Sequence, residues 1–573
     1  MTDAPQFDAT DTSEADGDIV APEADLDAAP EAELDPGTPD VVIVGAGAAG
    51  LLAAVAARRL GHDVLVIEAS GRVGGATGAG DGALWLPAND LMGTGGLPAD
   101  SVEEALSYLE AALGPAGDDT LAERRTAFVR TAGMVARWLR TSKIRLAAVK
   151  DIPDEATQAE GAKPKGRVLT AEAIERRLVA PLADRLPGGD APAPGLPVIG
   201  SLARTLARVI PRVDQLPEGG LSLVAELYRR ATSSGVAFWF DTTVTGVVVE
   251  DERVTGVRAE REGRAVEVPA TLAVLLASGG FEADAELRGE HLPLPTDPTW
   301  SVAGVPENTG VALRIAAEVG AATAALDSAW WTPVLVAEGA AYALDEARSR
   351  PHGMIVDHAG DRYFNEATSP QAAGRALFDR NRGMRAIPSY LVVDARHRHD
   401  TALGPWPAGS NPRKALDAGE IVKAPTLNEL ATILGVDRAG LIGSSVQFNA
   451  GAAKGRDPDF RRGESAADKA RGDAGQRRNP CLGAVEKGPY WAVAVYPGDR
   501  GTKGGLVIDA GSRVLRPDDT PVAGLYACGG AAASVFGKGD PARGAALGAA
   551  LVEAYRAVLR MSDQLARLDE ATH

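Results

Sequence analysis

Residues 40–68 are the segment that most narrows the folds open to this chain. Asp40-Val-Val-Ile-Val44 is an apolar run short enough for a fully buried parallel strand. Gly45-Ala-Gly-Ala-Ala-Gly50 follows at once, then Leu51-Leu-Ala-Ala-Val-Ala-Ala-Arg-Arg-Leu60 with helical character ending near Gly61, then Asp63-Val-Leu-Val-Ile-Glu68, a second strand closed by an acid. Strand, glycine turn, helix, strand and terminal acid in this order predict a dinucleotide-binding βαβ unit. Gly45 permits the tight turn, Gly47 lets the backbone approach a pyrophosphate, and Gly50 lets helix and strand pack closely. Ala48 and Ala49 open the helix, whose N-terminus supplies the anion site. Glu68 is placed to accept from ribose hydroxyls and disfavours a 2′-phosphate, so FAD or NAD is expected and NADP is not.

The stretch after Glu68 favours FAD. Ala69-Ser-Gly-Arg-Val-Gly-Gly-Ala-Thr77 runs into Gly78-Ala-Gly-Asp-Gly-Ala-Leu-Trp-Leu-Pro-Ala-Asn89, a second glycine-rich loop too long for the simple strand–helix alternation of an NAD dehydrogenase. Its candidate flavin contacts are Arg72, Gly74, Gly75, Ala76, Thr77 and Gly80. Val244, Gly279 after the apolar run at 273–278, Gly529 within Gly524-Leu-Tyr-Ala-Cys-Gly-Gly530, and Leu547 are further candidates, the last two marking a late return of the chain to the same domain.

Composition removes several function classes. A net charge of −19 leaves no broad basic footprint for nucleic acid or an anionic membrane. Cys481 and Cys528 are the only cysteines, too few for a disulfide framework or a four-thiolate metal site, and a cytoplasmic setting is expected. Residues 1–39 are acidic, rich in Ala and Pro and without Lys or Arg, which predicts a disordered tail and carries neither a secretory nor a mitochondrial signal. No apolar stretch reaches the length of a membrane span. Gly220–Arg230 predicts an amphipathic helix, the segments 236–240, 244–250 and 254–258 short strands, and 147–196 an excursion of loops.

Further motifs carry a resemblance. Leu84-Trp-Leu-Pro-Ala-Asn89, Asp327-Ser-Ala-Trp-Trp-Thr-Pro333, Asp361-Arg-Tyr-Phe-Asn-Glu366, Phe460-Arg-Arg-Gly463 and Tyr496-Pro-Gly-Asp-Arg-Gly-Thr-Lys-Gly-Gly505 make the chain similar, from about Asp40 to Leu551, to flavoproteins of the fumarate reductase and succinate dehydrogenase type, and within them to 3-ketosteroid Δ1-dehydrogenases. The resemblance implies an α/β fold in which a Rossmann-type FAD-binding domain (GR2-like; 40–284 and 489–573) is interrupted by an α+β catalytic domain (285–488). It implies hydride transfer between flavin N5 and a C–C bond next to a carbonyl, with a carbonyl-bearing small-molecule substrate and an external electron acceptor or donor. Relatives that tether the flavin use a histidine just after the second glycine pair. Thr77-Gly-Ala-Gly80 stands there, so non-covalent FAD is expected.

The chain departs from this pattern where the family places catalytic tyrosines. Pro370 and Asp540 take two of those positions, and the region of the third, Asp151–Ala156, has no phenol. Gly544 matches the family's turn glycine, whose N–H faces a carbonyl. Arg543 is either an anion clamp or a surface arginine pairing Asp540, and Tyr496 either a substitute phenol or a packing residue. The candidate catalytic residues are therefore Asp540, Arg543, Gly544 and Tyr496. Arg396-His-Arg-His399 reads as a solvated turn, and no metal site is expected. Two alternatives stay open: a flavin-binding subunit without turnover, and an enoate reductase of fumarate-reductase type. Oligomeric state is left open.

Overall fold

A computed structural model describes residues 37–187 and 215–565. The expected tail falls outside them except for residues 37–39, as does 188–196 of the loop excursion.

The first layer is a nine-stranded sheet. Its centre is parallel throughout, in the order Pro521–Ala527, Ala273–Leu276, Val41–Val44, Val64–Ile67, Ala237–Trp239. Val41 and Ile43 pack into one hydrophobic cluster and Val42 and Val44 into another, so this strand is covered on both faces, which is why it reads as an unbroken apolar run. One face is covered by the helices Ala48–Arg59, Asp119–Thr141, Gly220–Ser233 and Ala545–Met561. The other takes the antiparallel strands Thr242–Glu250, Arg253–Arg261 and Arg264–Pro269 and the helix Val311–Val319. The expected helix at 220–230 and all three short strands are present.

The second layer is a six-stranded antiparallel sheet built around the long strand Tyr490–Thr502, which pairs with Ala329–Ala337, Ser389–Val393 and Val422–Ala424. Sheet membership runs past both expected boundaries, each time toward the C-terminus. The helix Val311–Val319 packs on the first sheet although it lies beyond residue 284, and Tyr490–Thr502 belongs to the second sheet although it lies beyond residue 488. The change at Pro489 is that of a loop entering a strand, not of one layer giving way to the other.

The stretch from 147 is more structured than expected. Leu146–Ala148, Val168–Ala171 and Leu84–Trp85 form a three-stranded sheet, and Arg167 is buried between Asp100 and Asp154, 2.7 Å from each. Trp85 donates to Asp154 at 2.9 Å and packs against Tyr108, Phe128 and Phe536. High charge and glycine content masked a core whose ions pair with each other.

Candidate functional site

A cavity of about 420 Å³ opens beyond the carboxyl ends of four central parallel strands, marked by Val44, Ile67, Ala277 and Cys528. This is the crevice where open α/β sheets take their ligands. Gly45, Gly47, Ala48, Ala49, Glu68, Gly75, Ala76, Thr77, Val244, Gly279, Gly529 and Leu547 all line it, as expected from the sequence. Gly50, Arg72, Gly74 and Gly80 do not. Gly50 is buried within the helix Ala48–Arg59, Arg72 is exposed, Gly74 donates to the Ala46 carbonyl at 2.9 Å, and Gly80 ends the short helix Gly75–Ala79.

The first three glycines separate by what a side chain would meet. At Gly45 a Cβ would lie 2.4 Å from the Ala277 carbonyl oxygen, and at Gly50 2.0 Å from that of Gly45, so both are demanded by the protein's own packing. At Gly47 nothing of the protein lies within 4 Å of the added carbon, and its backbone is extended (φ −70°, ψ 175°), open to any residue. Because Gly47 lines the cleft, its lack of a side chain is explained by what the cleft must admit. The helix beginning at Ala48 has no side-chain cap and no acid in its first turn, which leaves its first N–H groups for a ligand anion.

Glu68 Oε2 accepts from the Ala46 N–H at 2.7 Å, and Oε1 from the Ser70 N–H and hydroxyl, each at 2.9 Å. Burial raises its pKa, and the Ser70 and Ala46 donors oppose the rise. A carboxylate has about four acceptor sites, so lone pairs remain for a ligand hydroxyl. Ser278 Oγ lines the cleft, buried and without a protein partner. With the space at Gly47, the open helix start and the carboxylate, it makes the donor set fit a dinucleotide. Asn308 lines the same cleft; the sequence singles out neither it, which carries no local signal, nor Ser278, which closes the apolar run 273–278.

Glu282 lies behind the glycine pair 279–280. Its Oε1 accepts from Asn308 Nδ2 at 2.5 Å and its Oε2 has no partner. Burial first, then the nearby Asp499, push its carboxyl up to about 7. The folded protein therefore holds a proton that the unfolded chain releases near the ordinary carboxylate pKa. Stability from this group is fully present below that ordinary value and falls as pH rises through about 7, on the order of 3 kcal/mol in all. Glu282→Gln is expected to melt above wild type in alkaline buffer, the gap closing as the pH falls below the ordinary carboxylate range. Parallel melting curves across that range would refute the assignment.

Between the layers, the turn Asp540–Gly544 precedes the helix Ala545–Met561. Gly544 adopts φ +87°, and a Cβ there would strike the Ala83 backbone at 2.6 Å. Its N–H has no acceptor among the described residues. Arg543 pairs with Asp81 at 2.9 Å and not with Asp540, both groups about half exposed. Against the opposing effect of burial, Arg543 helps to hold the Asp81 carboxyl below its usual value. Asp540 Oδ1 is buried with no partner. Tyr496 lies on the strand Tyr490–Thr502, and its ring packs on Trp300 at 4.8 Å. Pro370 opens the helix Pro370–Asn381, a position suited to proline.

Three residues near this turn were missed from sequence. Lys503 is buried, with its Nζ 3.8 Å from the Trp330 ring centroid and donating to the Gly539 carbonyl. Glu155 donates its N–H to the Pro541 carbonyl at 3.0 Å and pairs through its side chain with Arg471. Tyr108 donates its hydroxyl to the same Pro541 carbonyl at 2.5 Å, and burial raises its pKa, so it acts as a neutral strut. Lys503 and Glu155 lie within segments that the resemblance marks, but only the fold brings all three to this turn. Among the described residues no group of three His, Cys, Asp or Glu could hold a metal ion, and no helix is long and apolar enough to cross a membrane.

Over residues 40–547 the chain matches the FAD binding domain family. It is 32% identical over 556 residues to the 3-oxosteroid 1-dehydrogenase of Mycolicibacterium smegmatis, covering 91% of this chain and 96% of that protein. It is 31% identical over 569 residues to the 4-oxocyclohexanecarboxylate 2-dehydrogenase of Sinomonas cyclohexanicum, covering 93% and 95%. The solved structure of the 3-ketosteroid delta1-dehydrogenase from Sterolibacterium denitrificans in complex with 1,4-androstadiene-3,17-dione superposes with a TM-score of 0.84 at 33% identity, covering 92% of this chain and 99% of that one.

Proposed function

The chain belongs to the FAD binding domain family as an FAD-dependent dehydrogenase acting on a carbon–carbon bond next to a carbonyl, and we propose that its substrate is a ring ketone held at the 540–544 turn. The observation that carries this reading is that the similarity runs through both layers, over more than nine-tenths of this chain, to proteins whose names join an oxo group to a dehydrogenation. When bound, FAD supplies the hydride acceptor. The open helix start at Ala48 and Ala49 would take its pyrophosphate, Gly47 would give it room, and Glu68 would accept from its ribose hydroxyls. Thr77 lies in the cleft where tethered relatives carry histidine, so the cofactor is held without a covalent bond. At the turn, the free Gly544 N–H is placed to donate to a ketone oxygen, and a fixed donor there stabilises the charge that gathers on that oxygen as the neighbouring C–H bond breaks. Arg543, engaged by Asp81, closes one side of the turn. An external acceptor completes the cycle, and the buried free thiols of Cys481 and Cys528 suit the reducing cytoplasm.

Anaerobic addition of a 3-oxosteroid and, separately, of 4-oxocyclohexanecarboxylate to FAD-loaded protein tests this. At least one should bleach the oxidised-flavin absorbance and yield a conjugated enone. If neither does while dithionite still reduces the flavin, the reading fails. Reoxidation of the reduced protein by fumarate would favour the enoate-reductase alternative.

A further inference from the structure

Two polar groups without partners and a buried lysine meet where the two layers touch. Asp540 Oδ1 is buried without a partner. The Gly544 N–H, four residues on, has no acceptor among the described residues. Lys503 has three ammonium donors; among the described residues the carbonyl of Gly539, the residue before Asp540, takes one of them, and the Trp330 ring centroid lies 3.8 Å from the nitrogen. The turn is not free to relax onto these groups. Tyr108 and Glu155 both donate to the Pro541 carbonyl, and Gly544 is locked against Ala83. Buried polar atoms without partners cost about 1–3 kcal/mol each, so a rigid turn presenting an acid and an N–H together is a site waiting for an oxygen.

We propose that the Asp540 carboxyl group, together with the Gly544 N–H, donates to the substrate's ketone oxygen, and that Lys503 is the positioning residue that fixes the turn and governs Asp540 from behind. This deepens the ring-ketone reading and rests on it. A carboxyl can donate only while it keeps its proton, and the surroundings favour that. Burial raises the Asp540 pKa, Lys503 opposes the rise, Glu155 adds to it, and Arg471 opposes it; Arg500 also faces the carboxyl. Burial lowers the Lys503 pKa, with Asp540 raising it and Arg375 lowering it. A carboxylic acid kept neutral in a dry site is an effective donor to an oxyanion-like oxygen.

The test uses the full-length, FAD-loaded, oxidised protein and cyclohex-2-enone labelled with carbon-13 at the carbonyl, read by difference infrared spectroscopy. Donation weakens the C=O bond, so the bound carbonyl band should lie at lower frequency than the free one, and the displacement should shrink as pH rises and Asp540 ionises. Asp540→Leu should lose most of the displacement, and turnover on any ring ketone that reduces the wild-type flavin should fall about a hundredfold. Asp540→Asn, which keeps a donor of similar shape, should retain a displaced band without pH dependence. Lys503→Met removes the cation opposing the rise, so the midpoint of the pH profile should move to higher pH, and Lys503→Arg should restore it. A mere structural role for Lys503 would leave that midpoint unmoved. A wild-type band that is undisplaced, or one unchanged in Asp540→Leu, overturns the Asp540 assignment while leaving the ring-ketone reading intact. Failure of wild-type protein to bind this probe and the ketones above would overturn both.

Discussion

Replacing Gly47 by valine is expected to give a folded protein that purifies with little FAD and takes up added FAD weakly. The backbone at Gly47 is extended and open to any residue, and an added Cβ meets no protein atom within 4 Å. Valine would instead project its methyl groups into the cleft at the helix start. Overpacking of that kind costs about 1–3 kcal/mol and occasionally more, which lowers affinity roughly tenfold to over a hundredfold. Gly50→Val should behave differently. Its Cβ would be driven to 2.0 Å from the Gly45 carbonyl, so the loss appears first as a lower melting point of the apoprotein. Flavin content after purification and the melting point of flavin-stripped protein separate the two effects. A yellow Gly47→Val protein with wild-type affinity would show that the pyrophosphate does not pass that residue.

The nucleotide end was legible because each of its constraints is local. A glycine, the helix it starts and the strand it touches lie within about thirty residues, and the same short-range geometry recurs wherever that ligand is bound. The second layer was not legible in the same way. Lys503, Glu155 and Tyr108 reach the 540–544 turn from positions up to 433 residues away, and nothing in their neighbours' identities announces it. Arg543 illustrates the difference. Sequence offered Asp540, three residues off, as its surface partner, whereas the fold brings Asp81, 462 residues away, to within 2.9 Å. Tyr496 stands beside a turn motif in the sequence, and in the fold its ring packs on Trp300, the packing role the sequence left open. Pro489 shows a related limit. Loops change composition sharply, while membership of a sheet is decided by pairing, which leaves no mark in composition.

The motifs that made the chain recognisable lie largely outside the flavin cleft, and one pair of them predicts the largest loss of stability. Asp361-Arg-Tyr-Phe-Asn-Glu366 and Phe460-Arg-Arg-Gly463, about a hundred residues apart, meet in a buried charge network. Glu366 is fully buried, with Arg362 at 2.7 Å and Arg462 at 3.2 Å, and Asp457 takes the far side of Arg362 at 2.7 Å. Burial works to raise the Glu366 pKa, but Arg362 and Arg462 prevail and hold it below the ordinary value. Glu366→Leu would leave two buried guanidinium groups short of their shared counter-charge. That is expected to cost about 3–5 kcal/mol and to lower the melting temperature by roughly 3–4 °C for a chain of this length. The pH dependence carries the sign of a depressed carboxylate. Its stabilisation is present above the unfolded pKa and is lost as pH falls through the folded one, so the gap between wild type and Glu366→Leu should narrow in acid. Molecules that do fold should still take up FAD, because the network lies in the second layer while the cleft opens from the first. A variant melting within about 1 °C of wild type at neutral pH would mean that the two arginines find other partners. The network would then be a consequence of the packing of the second sheet and not one of its causes.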